Sequence, residues 1–392
     1  MQRQSDAVFF IGMNYPTGGI LHFAHLANEL HRNRQRTFDF YLVSIDHEAN
    51  IGFWNTVFSV IPAEKVIRGL TFSDLIDQIY RLAGNYRRVI IHTGGGWGQT
   101  REVLRVRRKF PRNLVRRVLL VGTTHSFRIG EWKRIPMSMI QYVLYRLCYT
   151  KIIFQCEYAK RRFVGGRSLV SMGKGVVVPL GCEDFPMIVD CPPALSDSSE
   201  LVQALSEKST FKFVYLAQFR AGKMHDWLVE AFIPVLQKYP QVRLVLCGGG
   251  DQRLMALSRR LANGGGVGKQ VIMPGQVARE AVPWILRHVD CAVVPSRAET
   301  FGHNFLEPMF AGVPVLGTHV GIGQEVIKDG ETGYFFDLRD LTSLQEAACR
   351  LIDNPGHARE MGTTARDLVS TRFCHSDVAE RLIVLYEQVL NK

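Results

Sequence analysis

Two glutamates, Glu299 and Glu307, stand eight positions apart in the stretch Pro295-Ser296-Arg297-Ala298-Glu299-Thr300-Phe301-Gly302-His303-Asn304-Phe305-Leu306-Glu307, ahead of Gly312-Val313-Pro314-Val315. The apolar run Cys291-Ala292-Val293-Val294 before them has the pattern of a fully buried parallel strand. Residues 296–302 are then the loop leaving its carboxyl end, the edge at which open α/β sheets bind ligands. Glu307 falls early in the following helix, so both carboxylates can face one crevice, with Phe301 and Gly302 offering backbone N–H groups. Ionised carboxylates accept hydroxyl hydrogen bonds, and amides at a helix start favour anions. The set suits a polyhydroxylated ligand that carries a phosphate.

The elements that must hold these groups form two alternating series. In the first, 7–12, 40–45, 88–92, 118–122 and 151–155 have strand character. Ile20, Phe23, Ala24, Ala27 and Leu30 share a helical face after the loop Asn14-Tyr15-Pro16-Thr17-Gly18-Gly19. The pattern lapses from Pro186 to Thr210, where Cys191-Pro192-Pro193 and Ser196-Asp197-Ser198-Ser199 read as a linker. A second series follows, with strands at 211–217, 242–247, 270–273, 291–294 and 313–316 and helices at 227–237, 252–261, 281–287, 341–352 and 377–390. This is the grammar of doubly wound sheets. The expected division is a first domain over 1–190, a linker over 191–210, a second domain over 211–374, and a closing helix, 375–392, that packs back on the first domain.

A chain of 392 residues is long for a single core, and 46% hydrophobic with 21% charged residues is the composition of a globular protein. The net charge of +12 favours an acidic partner. The first residues, Met1-Gln2-Arg3-Gln4-Ser5-Asp6, are polar, and no uncharged apolar run reaches the roughly 18 residues of a membrane span. The eight cysteines include no C-x-x-C pair and read as free thiols of a reducing cytoplasm.

In the second series, five motifs occur in one order: Lys223-Met224-His225-Asp226-Trp227-Leu228-Val229-Glu230-Ala231-Phe232, Cys247-Gly248-Gly249-Gly250-Asp251, Met273-Pro274-Gly275-Gln276-Val277, the glutamate pair, and Asp329-Gly330-Glu331-Thr332-Gly333. This order resembles the family 4 retaining glycosyltransferases. The first domain matches more loosely, through Gly18-Gly19, Gly122-Thr123-Thr124-His125 and Val178-Pro179-Leu180-Gly181-Cys182-Glu183-Asp184-Phe185. The resemblance implies an α/β GT-B fold, two doubly wound Rossmann-like domains facing a central crevice. It implies transfer of a sugar from a nucleotide diphosphate sugar to a hydroxyl of a glycan or lipid-linked acceptor in cell-envelope polysaccharide synthesis. A noncatalytic nucleotide-sugar-binding subunit and a nucleotide-sugar epimerase of similar fold are the alternatives.

On this resemblance Glu307 holds the ribose, while Glu299, Thr300 and the amides of Phe301 and Gly302 hold the transferred sugar. Lys223 reaches the diphosphate, and Gln276 and Val277 line the base slot. The family usually has an arginine five positions before the lysine; here stands Gln218, so Arg220 is expected to serve from a shifted position. Gly18 and Gly19 approach the phosphates from the first domain, and His125, favoured over His92, joins Glu299 at the reaction centre. No Asp-x-Asp occurs, so no cofactor is expected and the reaction is read as metal-independent. Pro308, directly after Glu307, departs from the family's small residue and predicts a late start or a kink in the helix.

Between Arg101 and Arg117 eight basic residues face the single acid Glu102. Arg105, Arg107, Arg108, Lys109 and Arg112 are the core of this segment, read as a docking face for an anionic membrane or the acceptor, on the inner face of the cell membrane. No aromatic interleaving or helix-turn-helix pattern accompanies the charge, so nucleic acid is not the expected partner.

Overall fold

The run Ala7-Val8-Phe9-Phe10-Ile11 forms β1 (Asp6–Ile11), buried along its whole length. Side chains alternate across a strand, so Val8 and Phe10 enter one core while Ala7, Phe9 and Ile11 enter another on the opposite face. A strand apolar on both faces needs helices above and below it. The computed structural model describes residues 5–11, 19–33, 36–45, 60–69, 71–94, 97–124, 135–182 and 199–392. They divide into two units, residues 1–181 with 373–392, and 182–372.

The first unit carries a seven-stranded parallel sheet of β1, β2 (Phe38–Ile45), β3 (Val66–Gly69), β4 (Val89–Thr93), β5 (Val118–Thr123), β6 (Lys151–Phe154) and β7 (Gly175–Val177), in the order β3-β2-β1-β4-β5-β6-β7. Helices Gly19–Arg32 and His375–Leu390 cover one face, and Phe72–Leu82, Trp97–Arg107 and Ile135–Cys148 the other. Tyr386 of the closing helix is fully buried among Phe10, Phe38 and Ile90.

The second unit repeats the plan with β8 (Phe211–Leu216), β9 (Val242–Cys247), β10 (Val271–Gly275), β11 (Cys291–Val294), β12 (Val315–Gly317) and β13 (Gly333–Phe335), in the order β10-β9-β8-β11-β12-β13. All pairs are parallel. Chain order reverses between β8 and β11, which makes their carboxyl ends the switch point where ligands of such sheets bind.

One difference from the expected organisation concerns a boundary, another the number of elements. The linker expected over 191–210 is already helical at Ser199–Ser206, whose Leu201 and Leu205 are buried; its residues up to 198 lie outside the described part. β3, β13 and the helix Pro355–Ser370 are additional to the expected elements. None of the helices among the described residues is long and apolar enough to cross a membrane.

Candidate active site

The loop leaving β8 is laced to its neighbour before it reaches Lys223. Phe219 N–H donates to the Gly249 carbonyl at 2.8 Å, and Asp251 N–H donates to the Phe219 carbonyl at 2.9 Å. Glycine is required there: a Cβ on Gly248 would lie 1.9 Å from the Ala217 carbonyl oxygen. A short 3-10 turn, Ala221–Lys223, follows, and Met224 then takes a left-handed conformation, φ 59°, as the sole non-glycine with positive φ among the described residues. That conformation costs roughly 1 kcal/mol, and it turns the chain directly into the helix His225–Lys238. Arg297 N–H donates to the Gly222 carbonyl at 2.9 Å, so the loops leaving β8 and β11 are tied together.

Across this tie Lys223 Nζ forms an ion pair with Glu299 Oε1, the lysine about a quarter exposed and the glutamate nearly buried. Ser296 Oγ donates to the same oxygen at 2.7 Å and Asn304 Nδ2 approaches it at 3.4 Å. Ser296 is itself fixed, with its hydroxyl 3.1 Å from Tyr215 OH and its carbonyl accepting from Thr318 Oγ1 at 2.6 Å. The Tyr215 phenol is pushed far above its usual range by burial and by the Glu299 charge, so it stays protonated as a neutral partner. Lysine, serine and asparagine thus converge on Oε1, and none of these three contacts uses Oε2.

Glu307 is held separately. Its helix, His303–Phe310, begins immediately after Gly302, which adopts φ 96° and brings no side-chain cap, and Pro308 stands inside it. The late start expected from Pro308 does not occur. Glu307 is buried and its Oε1 lies 2.6 Å from Arg279 Nη1, in the 3-10 turn Arg279–Ala281 that follows β10. Asn304 and Glu307 are three residues apart on one helix and share a face, so the residue that touches Glu299 stands beside Glu307.

The remaining assigned positions spread around this centre. Gln276 is exposed, with its Oε1 accepting from Gly249 N–H at 3.2 Å; Val277 is half-buried and leads to Arg279. Arg220 is exposed at the entrance to the Lys223 turn. Thr300 is half-buried, and the Phe301 carbonyl accepts from Ile322 N–H at 2.7 Å. Gly18 and His125 lie outside the described residues, and Gly19 opens the helix Gly19–Arg32. His92, the alternative to His125, is a core residue of the first unit: Nδ1 lies 2.5 Å from Tyr386 OH and Nε2 2.6 Å from Thr123 Oγ1.

The basic segment does not form one face. Arg105 and Arg108 are exposed, with Arg101, whereas Arg107 is half-buried, its charge felt by Tyr80 and Cys148. Lys109 borders a different hollow, with Asp74, Asp77 and Arg81, and Arg112 opens the short helix Arg112–Arg117.

Ser296, Asn304 and Arg279 were missing from the sequence reading. A small polar residue two positions after a buried strand was the available signal for Ser296, and the i,i+3 spacing to Glu307 for Asn304. Arg279 had none, since its partner is distant in sequence.

His225, two residues after Lys223, stacks on Phe219 with centroids 3.8 Å apart. Burial, and then the Lys223 charge, lowers its pKa from 6.5 to about 4. The unfolded chain therefore takes up a proton near pH 6.5 that the folded chain refuses until about pH 4. The His225 contribution to stability is complete above pH 6.5 and is lost through that window, by about 3 kcal/mol at most. Urea midpoints of wild type and His225→Gln at about pH 7 and about pH 4.5 check this. The acid-induced drop should be smaller in the variant.

Residues 197–368 match the family described as glycosyl transferases group 1. That match covers most of the second unit and leaves the first unit outside it. Similar proteins include N-acetyl-alpha-D-glucosaminyl L-malate synthase of Bacillus anthracis, 29% identical over 45% of this chain and 45% of that protein. A GDP-mannose-dependent alpha-(1-6)-phosphatidylinositol monomannoside mannosyltransferase of Mycobacterium tuberculosis is 26% identical over 67% of this chain and 68% of its own length. The chain thus spans about half the length of the first relative and about two thirds of the second. Anabaena HepE, solved with UDP and glucose, superposes with a TM-score of 0.74 at 16% identity, covering 98% of this chain and 100% of that one. Sucrose-phosphate synthase of Thermosynechococcus elongatus superposes at 0.72 and 19% identity, covering 99% and 100%. The fold is therefore GT-B, with two doubly wound units.

Proposed function

We propose that this protein is a retaining glycosyltransferase that moves a sugar from a nucleotide diphosphate sugar to a hydroxyl of a glycan or lipid-linked acceptor. The observation that carries the reading is the Lys223–Glu299 pair at the β8/β11 switch point, with Glu307 one helix turn beyond Asn304. Envelope-glycan relatives and a neighbour of the same fold solved with UDP and glucose support the substrate class.

In this reading Glu299 Oε2 accepts a hydroxyl of the transferred sugar while Oε1 stays with Ser296. Glu307 accepts the ribose hydroxyls, with Arg279 fixing the carboxylate. The bond from the sugar's anomeric carbon to the diphosphate breaks as the acceptor oxygen bonds that carbon on the same face. The acceptor proton passes to the departing phosphate oxygen, so the products are the glycoside and a nucleoside diphosphate. Lys223 stabilises the charge that develops on the diphosphate, a task for a fixed cation in a site shielded from water. His125 is assigned to the sugar, and Arg220, Gln276 and Val277 to the nucleotide.

Transfer is expected to proceed in excess chelator, since the cation the reaction needs is a side chain. A chelator-abolished activity restored by a divalent ion would refute this. Glu299→Ala should lower transfer by about 10²-fold while leaving the melting shift given by nucleoside diphosphate largely intact. Unchanged transfer would remove Glu299 from the site. A wild-type protein that binds the nucleotide yet neither hydrolyses nor transfers the donor would be a binding subunit instead. In this reading the enzyme works at an anionic membrane face, which binding to vesicles tests.

A further inference from the structure

Seven of the eight exposed large hydrophobic side chains among the described residues fall between positions 139 and 172 of the first unit. Four are on the helix Ile135–Cys148: Met139, Ile140, Val143 and Leu147, exposed by 55%, 45%, 48% and 73%. Their spacing of one, four and eight residues puts them on a single stripe. Scattered exposed leucines and valines are ordinary on a protein surface, but a stripe of four that none of the described residues covers marks a binding face. The opposite side of the same helix carries the fully buried Tyr145, so the stripe points outward because the helix is already seated.

The remaining three, Val164, Val170 and Met172, belong to the adjoining segment. It is joined to the helix where Tyr142 OH lies 3.0 Å from Ser168 Oγ and the Tyr142 ring fills the space beside Gly165.

The charge around the stripe is predominantly positive. From residue 135 to residue 182 the chain has seven lysines and arginines and one acid, Glu157. On the other flank Arg101, Arg105 and Arg108 are exposed at spacings of four and three, hence on one face. They border a hollow of about 480 Å³ together with Leu144, the neighbour of Val143, so the basic row and the apolar stripe are contiguous. Glu102 lies in the same hollow and pairs with Arg101 and Arg105 at 3.2 and 3.5 Å; three arginines against one glutamate leave two net positive charges.

We infer that the Met139–Leu147 stripe of the helix Ile135–Cys148 inserts into the headgroup boundary of an anionic bilayer, with Arg101, Arg105 and Arg108 on the phosphates beside it. This rests on the membrane reading above and names the surface that performs it. An interfacial helix draws its binding from these two sources together, apolar area placed at the acyl boundary and cations near anionic headgroups. It also divides the basic segment. Arg101, Arg105 and Arg108 belong to the docking face, and Arg107, Lys109 and Arg112 do not.

The test floats the full chain with vesicles of phosphatidylcholine alone and of phosphatidylcholine containing phosphatidylglycerol, without donor or acceptor. Wild type should float with the anionic vesicles and release in high salt. Ile140→Asp with Leu147→Asp should weaken binding at least ~10-fold. The triple variant Arg101→Glu, Arg105→Glu, Arg108→Glu should lose the preference for anionic lipid. Melting curves of both variants should match wild type, since every changed side chain is exposed. If wild type floats and both variants float equally well, the stripe is not the docking face and the membrane reading survives elsewhere on the surface. Failure of wild type to float overturns both. An oligomer that becomes a monomer in the aspartate variant, with vesicle binding unchanged, makes the stripe a contact between copies of this chain and refutes the inference.

Discussion

Lys223→Met will lower the rate of sugar transfer by about 10²–10³-fold, with the larger part of the loss in kcat. The expectation follows from how the residue is held. Its backbone sits in a 3-10 turn closed by the left-handed Met224, and the neighbouring Gly222 carbonyl is bonded to Arg297. The ammonium is thus delivered to one place, and removing a preorganised charge partner of a developing anion costs about 3–4 kcal/mol in comparable sites. Glu299 keeps Ser296 and Asn304 when the lysine is lost, so the sugar contact should persist. Lys223→Arg should restore only part of the rate, because a planar fork cannot occupy the geometry of a compact ammonium. Steady-state kinetics on Lys223→Met, Glu299→Gln and the double variant decide the point. If the pair acts as one unit the two losses will not add. Equal kcat in wild type and Lys223→Met would dismiss the assigned role.

Gly321→Ala will destabilise the second unit by at least about 3 kcal/mol and abolish donor binding with it. Gly321 has φ 56°, and a Cβ there would lie 2.2 Å from the Phe301 carbonyl oxygen and 2.9 Å from the Glu299 Cβ. Backbone cannot move aside cheaply, since the Phe301 carbonyl also accepts from Ile322 N–H at 2.7 Å. Gly330→Ala is the control. Its φ of 81° carries the same backbone penalty, but a Cβ there meets only Tyr334, at 3.9 Å. It should cost no more than about 1–2 kcal/mol and leave nucleotide binding intact. Urea melts of the two variants separate collision from conformation; equal losses would show that the Phe301 loop can give way.

The strands of the second unit were legible because parallel strands buried on both faces read as unbroken apolar runs, as in Val242–Cys247 and Cys291–Val294. β13 was not, because Gly333–Phe335 is three residues long and only its glycine is fully enclosed. The helix Pro355–Ser370 was obscured by its small buried residues, Ala358, Gly362 and Ala365. They are small because the backbone there passes close: a Cβ on Gly362 would stand 2.0 Å from the Gly312 carbonyl oxygen. Within the site, the residue types of Lys223, Glu299 and Glu307 announced themselves. Their pairing did not, since nothing local to Glu307 points to Arg279. Pro308 was expected to give a late start or a kink, and the late start is absent. The proline removes one N–H inside the helix without moving the start, which Gly302 sets through its φ of 96°.

The first unit is built from two pieces of chain with the whole second unit between them. Synthesis runs from the amino end, so residues 5–181 emerge while the strip of sheet around Phe10, Phe38 and Ile90 still awaits Leu382, Tyr386 and Val389. The second unit is continuous and can close on itself first. Completion of the earlier-made unit is therefore the later event, timed by the arrival of one helix, and its exposed apolar face is a natural client for a chaperone during that interval.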